Sequence, residues 1–248
     1  MSIFKKLFGK NASKDRIPDQ DTEFRQVLKK DFKNVNELLE QHAGLSYEKQ
    51  TIFNDLTGGS AWNIDMNTAS ISFGSLSYPI QVIGSLSFND YSWMWGWANT
   101  KSGIPQHLLT NALQLQRFGE QHQLEEFTKG HFYAEEGFEH TMGLIASGLS
   151  NANAYFCANY GQGTMVVTIQ SPDIPSVDTN ALEKMITVFP QLISAMDIHH
   201  KNALLHYMID KEIPVKISDT KIEGQKNGKY INAEFDEMGR MLKIDGTL

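Results

Sequence analysis

Three tryptophans at alternate positions, Trp93, Trp95 and Trp97, are followed closely by Asn99 and Ser102. Residues two apart on a β-strand share a face, so a strand through the tryptophans places three indoles side by side. Such a surface suits a planar, sugar-like or cationic ligand. Asn99 and Ser102 lie where this strand meets a helix start, and free backbone N–H groups point outward there. These five residues are the predicted ligand-binding site.

Two structural interpretations compete with this site. The three indoles are large enough to serve simply as core, because each buries roughly 150–250 Å². The Asn99 side chain is also suited to capping the local turn rather than contacting a ligand.

A carboxylate and histidine cluster gives the best candidate for metal or acid–base chemistry. Its members are Glu135, Glu136, Glu139 and His140. Glu136 and His140 are four residues apart and share a helix face, so both side chains reach one ion. No second His or Cys follows at ligand spacing, and glutamates on a solvated helix surface are common. We therefore predict no metal site and no cofactor.

The single cysteine, Cys157, lies inside a predicted strand, and no histidine is tied to it by local sequence. A lone buried cysteine usually behaves as a small apolar residue. One cysteine excludes an internal disulfide and suits a reducing cytoplasm. Gly161-Gln162-Gly163 is typical of a hairpin turn rather than a phosphate loop, because no helix opens directly after it. We predict no catalytic residue.

The tryptophans belong to a predicted hairpin. The apolar run from Ile80 to Phe88 forms its first strand, and Asn89-Asp90 supplies a two-residue turn with φ > 0. This turn pairs Phe88 with Tyr91, Leu86 with Trp93, Gly84 with Trp95 and Val82 with Trp97. Every large side chain then lies on one face, and the missing side chain of Gly84 leaves room for Trp95.

The remaining patterns predict an α+β fold. Its mainly antiparallel β-sheet, a meander that includes the Trp-rich hairpin, is packed by several α-helices and followed by a C-terminal β-meander. The predicted helices cover 24–43, 103–118, 123–127, 133–149, 182–189 and 191–209. The first is either one helix or a pair that breaks near Asp31. The other predicted strands cover 62–65, 69–73, 155–159, 164–169, 215–224, 230–235 and 240–244. Ser102 is a possible helix cap, Gly119 and Pro190 are helix stops, and Asn227-Gly228 is a hairpin turn.

Three parts of the chain are expected. Residues 1–21 form a flexible or amphipathic segment, 22–212 the main α+β domain, and 213–248 a β appendage docked on it. Within the first, residues 3–10 alternate apolar and lysine residues at helical spacing. This pattern fits peripheral membrane contact and equally a frayed N-terminus.

Composition and charge argue against several classes of function. The chain has 248 residues and a net charge of -7, which argues against a nucleic-acid partner. No stretch approaches the roughly 18 apolar residues of a membrane span, and the N-terminus lacks a signal-peptide pattern. We expect a cytoplasmic protein.

Part of the sequence resembles an uncharacterised bacterial family with a W-x-W-x-WAN strand motif. The resemblance rests on Ile83-Gly84-Ser85, Trp93 to Asn99 and Ile104-Pro105, and covers roughly residues 60 to 170. It implies a bacterial, cytoplasmic, single α+β domain and no catalytic role.

Three functions remain open from the sequence. The first is a non-enzymatic binding or protein-interaction domain, for example an immunity or accessory protein. The second is a small-molecule-binding domain with a pocket beside Trp93, Trp95 and Trp97. The third is a hydrolase that uses Glu136 and His140.

Overall fold

The structure is a computed structural model that describes residues 23–247. The amphipathic pattern at residues 3–10 and the segment 1–21 lie outside the described residues. The described residues contain both helices and antiparallel strands, which confirms the α+β class. The helices are α1 (Val35–Thr57), α2 (Thr110–His122), α3 (Glu125–Thr128), α4 (Phe138–Leu149), α5 (Leu182–Ala195) and α6 (His200–Asp210). The strands are β1 (Trp62–Asp65), β2 (Ser70–Phe73), β3 (Leu76–Ser87), β4 (Ser92–Trp95), β5 (His131–Tyr133), β6 (Ala154–Asn159), β7 (Gly163–Ile169), β8 (Val215–Ile217), β9 (Lys221–Lys226), β10 (Lys229–Phe235) and β11 (Met241–Thr247).

The strands form two antiparallel sheets. The larger has the order β1-β2-β3-β4-β5, with β7 also paired to β3 and β6 paired to β7. The predicted meander β1–β4 and the hairpin β6–β7 are therefore present. The smaller sheet has the order β11-β10-β9-β8. Its Asn227-Gly228 turn sets Gly224 against Ile231 and Ile222 against Ala233, as predicted.

The pairing of β3 with β4 follows the predicted register, with Gly84 opposite Trp95 and Leu86 opposite Trp93. The turn between them differs in detail, because the residue with positive φ is Tyr91, at 54°. Asp90 holds this turn, since its Oδ1 accepts hydrogen bonds from the Ser92 backbone N at 3.1 Å and hydroxyl at 2.8 Å.

The predicted strand through Ala98 is wrong beyond Trp95. Residues 96–98 form a 3-10 turn, so Val82 and Trp97 do not pair. At Gly96 the chain passes close to β3, since a Cβ on it would lie 3.3 Å from the Val82 and Ile83 carbonyl oxygens and 2.9 Å from Leu109 Cδ2.

Strand β3 contributes side chains to two hydrophobic cores, and a β-bulge at Ile83 separates them. Val82 pairs with Val167 and Gly84 with Val166, so Ile83 is the extra residue. Val82 faces a smaller core with Ile71, Phe73, Tyr78, Val167 and Ile169. Ile83 and Leu86 face the main core, which lies under the helices and contains Trp93 and Trp95.

The helix predicted over 24–43 is wrong in its first half. Residues 23–34 are not helical, and Arg25 bridges Val215. Helix α1 begins after Asn34, whose Oδ1 accepts from the Glu37 N–H at 2.9 Å, while Glu37 accepts from the Lys33 N–H at 2.9 Å. This arrangement is similar to a capping box, except that Glu37 accepts from the residue before the N-cap rather than from the N-cap itself.

Three other helices differ from prediction in where they begin or end. Residues 131–133 form edge strand β5 rather than the start of α4. Helix α2 begins at Thr110 instead of near Ser102, and it passes Gly119 to end at His122. Helix α5 continues through Pro190, and the chain breaks at residues 196–199 instead.

The C-terminal sheet packs on α5 and α6 through the main core. Ile222, Ile231 and Phe235 belong to the same buried cluster as Phe189 and Leu204. Within residues 23–247, no helix combines the length and apolar composition that crossing a membrane requires.

Candidate functional site

A cleft of about 500 Å³ opens on the face of the large sheet opposite the tryptophan core. We call it the reverse-face cleft. It is lined by Trp62, Asn63, Ile64, Met66, Val82, Gly84, Ser85, Met94, Gly96, Asn99, Ser102, Ile104, Ala158, Tyr160 and Met165. The cleft continues the smaller core, since Ile64, Met66, Ile104 and Met165 also pack against that core.

The floor of the cleft is a single row of residues across four neighbouring strands. Met94 is paired with Ser85, Ser85 with Met165, and Met165 with Ala158. Because strand side chains alternate, the adjacent positions on β4, β3 and β7 point the other way, into the main core. The same hairpin therefore builds both the core and the cleft.

The cleft wall is mostly apolar, and among residues 23–247 no Asp, Glu, Lys, Arg or His lines it. Its polar side chains are Asn63, Ser85, Asn99, Ser102 and Tyr160. Ser85 and Asn99 are half-buried, whereas Tyr160 is 58% exposed. A few polar groups in an apolar hollow are typical of a small-molecule site.

Asn99 has the capping role that competed with ligand binding, and it also lines the cleft. Its Oδ1 accepts from the Ser102 N–H at 3.2 Å, which starts a 3-10 turn over residues 100–102. The amide is thereby oriented, and its Nδ2 has no hydrogen-bond partner among residues 23–247. Ser102 lines the same side of the cleft.

The predicted tryptophan face lies within the main core. Trp93 and Trp95 are both 0% exposed and meet edge to face, with ring centroids 5.6 Å apart. Trp97 is half-buried and stacks on Trp95 at 6.4 Å. Trp93 and Trp95 share a face, as the alternation predicted, and Trp97 lies beside them. Trp93 and Trp95 are fully buried, so neither side chain is accessible to a ligand.

The fourth tryptophan lies in the cleft, where sequence reasoning did not place it. Trp62 is 37% exposed and meets Phe156 edge to face at 5.6 Å. One sequence feature could have indicated its exposure: Trp62 begins a strand directly after a glycine-rich turn, so few large side chains precede it in the chain.

The Glu136 and His140 pair does not share a cleft. Glu136 lines a second hollow of about 450 Å³, together with Glu126, Glu135 and Asp197. His140 instead lies with its Nδ1 3.2 Å from the Tyr155 hydroxyl and 3.8 Å from Cys157 Sγ. This geometry gives no support to a hydrolytic pair.

Cys157 and His140 are close in space although distant in sequence. Burial, followed by the charge of Glu139, raises the pKa of the Cys157 thiol, so it stays protonated at neutral pH. A protonated thiol is a poor nucleophile and metal ligand. In the part of the chain that the structure describes, no three His, Cys, Asp or Glu side chains are grouped to hold a metal ion.

The fold and the cleft define an α+β protein whose antiparallel sheet separates a helix-covered core from an open, uncharged hollow. The chain belongs to a family of unknown function, DUF6882, whose model matches residues 36–172. This confirms the resemblance to an uncharacterised family. The match runs from the start of α1 to just past β7 and includes every residue of the reverse-face cleft. Comparisons with curated proteins and with solved structures gave no match.

Proposed function

We propose that this protein is a non-enzymatic binding domain that holds a small molecule in the reverse-face cleft. The observation that carries the proposal is the cleft itself. Its volume of about 500 Å³ falls in the range of about 300–1,000 Å³ that is usual for ligand pockets. The methionines of its wall add flexible apolar surface that adapts to a ligand's shape.

The five residues predicted from the sequence take different roles in this proposal. Asn99 and Ser102 remain ligand contacts because they line the cleft. Trp93 and Trp95 become the support behind its floor, and Trp62 becomes the aromatic contact. A protein-interaction role is favoured by exposed Tyr133, Met238 and Leu242, but these side chains belong to different elements.

A pair of matched substitutions on β3 tests the proposal. Ser85 lies in the cleft floor, and Ser85→Phe fills part of the hollow with a ring. Ser77→Phe makes the same change on the same strand at an exposed position outside the cleft. Both variants and the parent are titrated with a panel of small molecules, with melting temperature and tryptophan fluorescence as readouts.

The expected result is at least one compound that binds the parent and Ser77→Phe equally and Ser85→Phe at least about 10-fold more weakly. At a hundredfold excess over Kd such a ligand adds about 2.7 kcal/mol of stability, a melting shift of roughly 5–10 °C. Trp62→Phe should remove most of the fluorescence change, because Trp93 and Trp95 are buried. Compounds that never distinguish the two phenylalanine variants would show that the cleft is not the binding site.

A further inference from the structure

We propose that the ligand of the reverse-face cleft is an uncharged, ring-containing carbonyl compound whose oxygen accepts a hydrogen bond from Asn99 Nδ2. This inference rests on the proposed function and adds the chemical class of the ligand. Three properties of the wall carry it: the absence of charged side chains among its described residues, the grouping of thioethers with one indole, and one oriented amide donor.

The wall excludes a charged ligand on energetic grounds. An ion that enters a mostly apolar hollow loses its hydration, and that loss is recovered only where an opposite charge lies alongside. In the part of the chain that the structure describes, no Asp, Glu, Lys, Arg or His side chain lines this cleft. The second hollow differs in this respect, because four acidic side chains line it: Glu126, Glu135, Glu136 and Asp197.

The apolar groups favour a ring. Met66, Met94 and Met165 line the cleft, and thioether sulfurs make favourable contacts with aromatic rings. Trp62 is oriented by its edge-to-face contact with Phe156, so its indole is available at a fixed angle. A planar ring lies between these groups with contact on both faces.

The polar groups favour a carbonyl oxygen. Asn99 Oδ1 is already engaged by the Ser102 N–H at 3.2 Å, which leaves the Nδ2 hydrogens as donors. Ser85 Oγ, on the cleft floor, likewise has no hydrogen-bond partner among the described residues. Carbonyl oxygen is an acceptor with two lone pairs, so it matches an amide donor and a hydroxyl donor together.

Three naphthalene probes separate the requirements. Prodan is an uncharged naphthalene ketone, N-phenylnaphthylamine is uncharged without a carbonyl, and anilinonaphthalene sulfonate is anionic. Each is titrated by its own fluorescence into the parent, Ser85→Phe and Asn99→Asp. Aspartate still accepts the Ser102 N–H, so this variant keeps the cap and replaces the amide donor by a negatively charged acceptor; N-phenylnaphthylamine, which has no carbonyl, reports the effect of the charge alone. Its melting temperature should match the parent's.

The expected order is Prodan bound most tightly and the sulfonate at least about 10-fold more weakly. Asn99→Asp should weaken Prodan about 10-fold, since its carbonyl then meets a negatively charged acceptor instead of a donor, and should weaken N-phenylnaphthylamine much less. Ser85→Phe should weaken both uncharged probes.

Each contrary result would overturn a specific element of the inferred ligand class. A sulfonate bound as tightly as Prodan, and lost in Ser85→Phe, overturns the uncharged class. Prodan affinity unchanged in Asn99→Asp overturns the carbonyl contact, and failure of Prodan to bind at the cleft overturns the inference as a whole. All three outcomes leave the proposed function standing if other compounds still distinguish Ser85→Phe from Ser77→Phe.

Discussion

Replacing Lys211 by methionine should destabilise the protein by about 3–5 kcal/mol, because it leaves a buried carboxylate without its counter-ion. The Lys211 side chain is 0% exposed, and its Nζ lies 2.9 Å and 3.1 Å from the two carboxylate oxygens of Glu48. The same Nζ donates to the Ala181 carbonyl at 3.0 Å, and the Tyr207 hydroxyl donates to Glu48. Methionine has a similar length but can replace none of these bonds.

The assay is urea unfolding followed by circular dichroism, with thermal melting as a second measure. For a chain of this size, 1 kcal/mol shifts the melting temperature by roughly 2–4 °C, so Lys211→Met should lower it by about 6–20 °C. Removing both charges in Glu48→Gln/Lys211→Met should recover at least about 1 kcal/mol of the loss, since no charge then remains buried.

The exposed ion pair between Lys229 and Glu183 provides a matched control. Its atoms are 3.2 Å apart, with side chains 37% and 48% exposed. Lys229→Met should cost less than about 1 kcal/mol, because water screens this pair. Equal losses for the two lysine variants, or a double variant as unstable as the sum of its single changes, would refute the argument from the buried charge.

Three further predictions concern packing and titration. Gly84→Ala should cost about 1–3 kcal/mol in urea unfolding, because a Cβ there would overlap the Trp93 ring and the Met94 carbonyl. Burial, then the positive charge of Lys29, lowers the pKa of His42 to about 3. Below its ordinary pKa of about 6.5, the unfolded chain therefore takes up a proton that the folded protein does not, so stability falls as pH drops from about 6.5 to 3. His42→Gln should flatten this dependence by up to about 1.4 kcal/mol per pH unit, measured by urea unfolding between pH 4 and 6. Cys157 should react with a disulfide reagent at pH 7 far more slowly than a free thiol, since burial raises its pKa.

Each of these predictions has its own check. Gly84→Ala should lower the free energy of unfolding less in a Trp93→Phe background, because the smaller ring leaves room for the Cβ. Equal losses with Trp93 and with Phe at that position would show that the overlap with the indole is not the cause. Parallel stability curves for the parent and His42→Gln would show that His42 stays protonated when folded. Fast reaction of native Cys157, at the rate seen in urea, would show an accessible thiolate.

Local patterns predicted the hairpin registers well, because register depends on neighbouring residues, although they did not predict where every strand ends. The Asn227-Gly228 turn and the Leu86–Trp93 pairing both follow from alternation and turn chemistry. Helix starts were harder, since residues 24–34 carry a helical apolar pattern although the helix begins after Asn34. Glu37, three residues after Asn34, was an available capping signal.

The site was less predictable than the sheet. Alternation places Trp93 and Trp95 on one face, but both faces of this sheet carry apolar cores, and no local pattern shows which face is fully covered. Trp62 and Met165 meet in one cleft although about a hundred positions separate them in the chain. Asn99 and Ser102 were predicted as contacts from their place at a strand end, and they do line the cleft.

The single-row floor also bears on how such a protein changes over generations. Met94, Ser85 and Met165 alternate with positions that belong to the main core, so point substitutions in the row alter what the hollow accepts and leave the folded interior intact. A one-residue insertion or deletion within β4 or β7 would exchange the two faces and send an indole or a valine outward. Under the proposed function, substitutions in this row would change ligand preference, whereas changes in strand length would disrupt both faces at once.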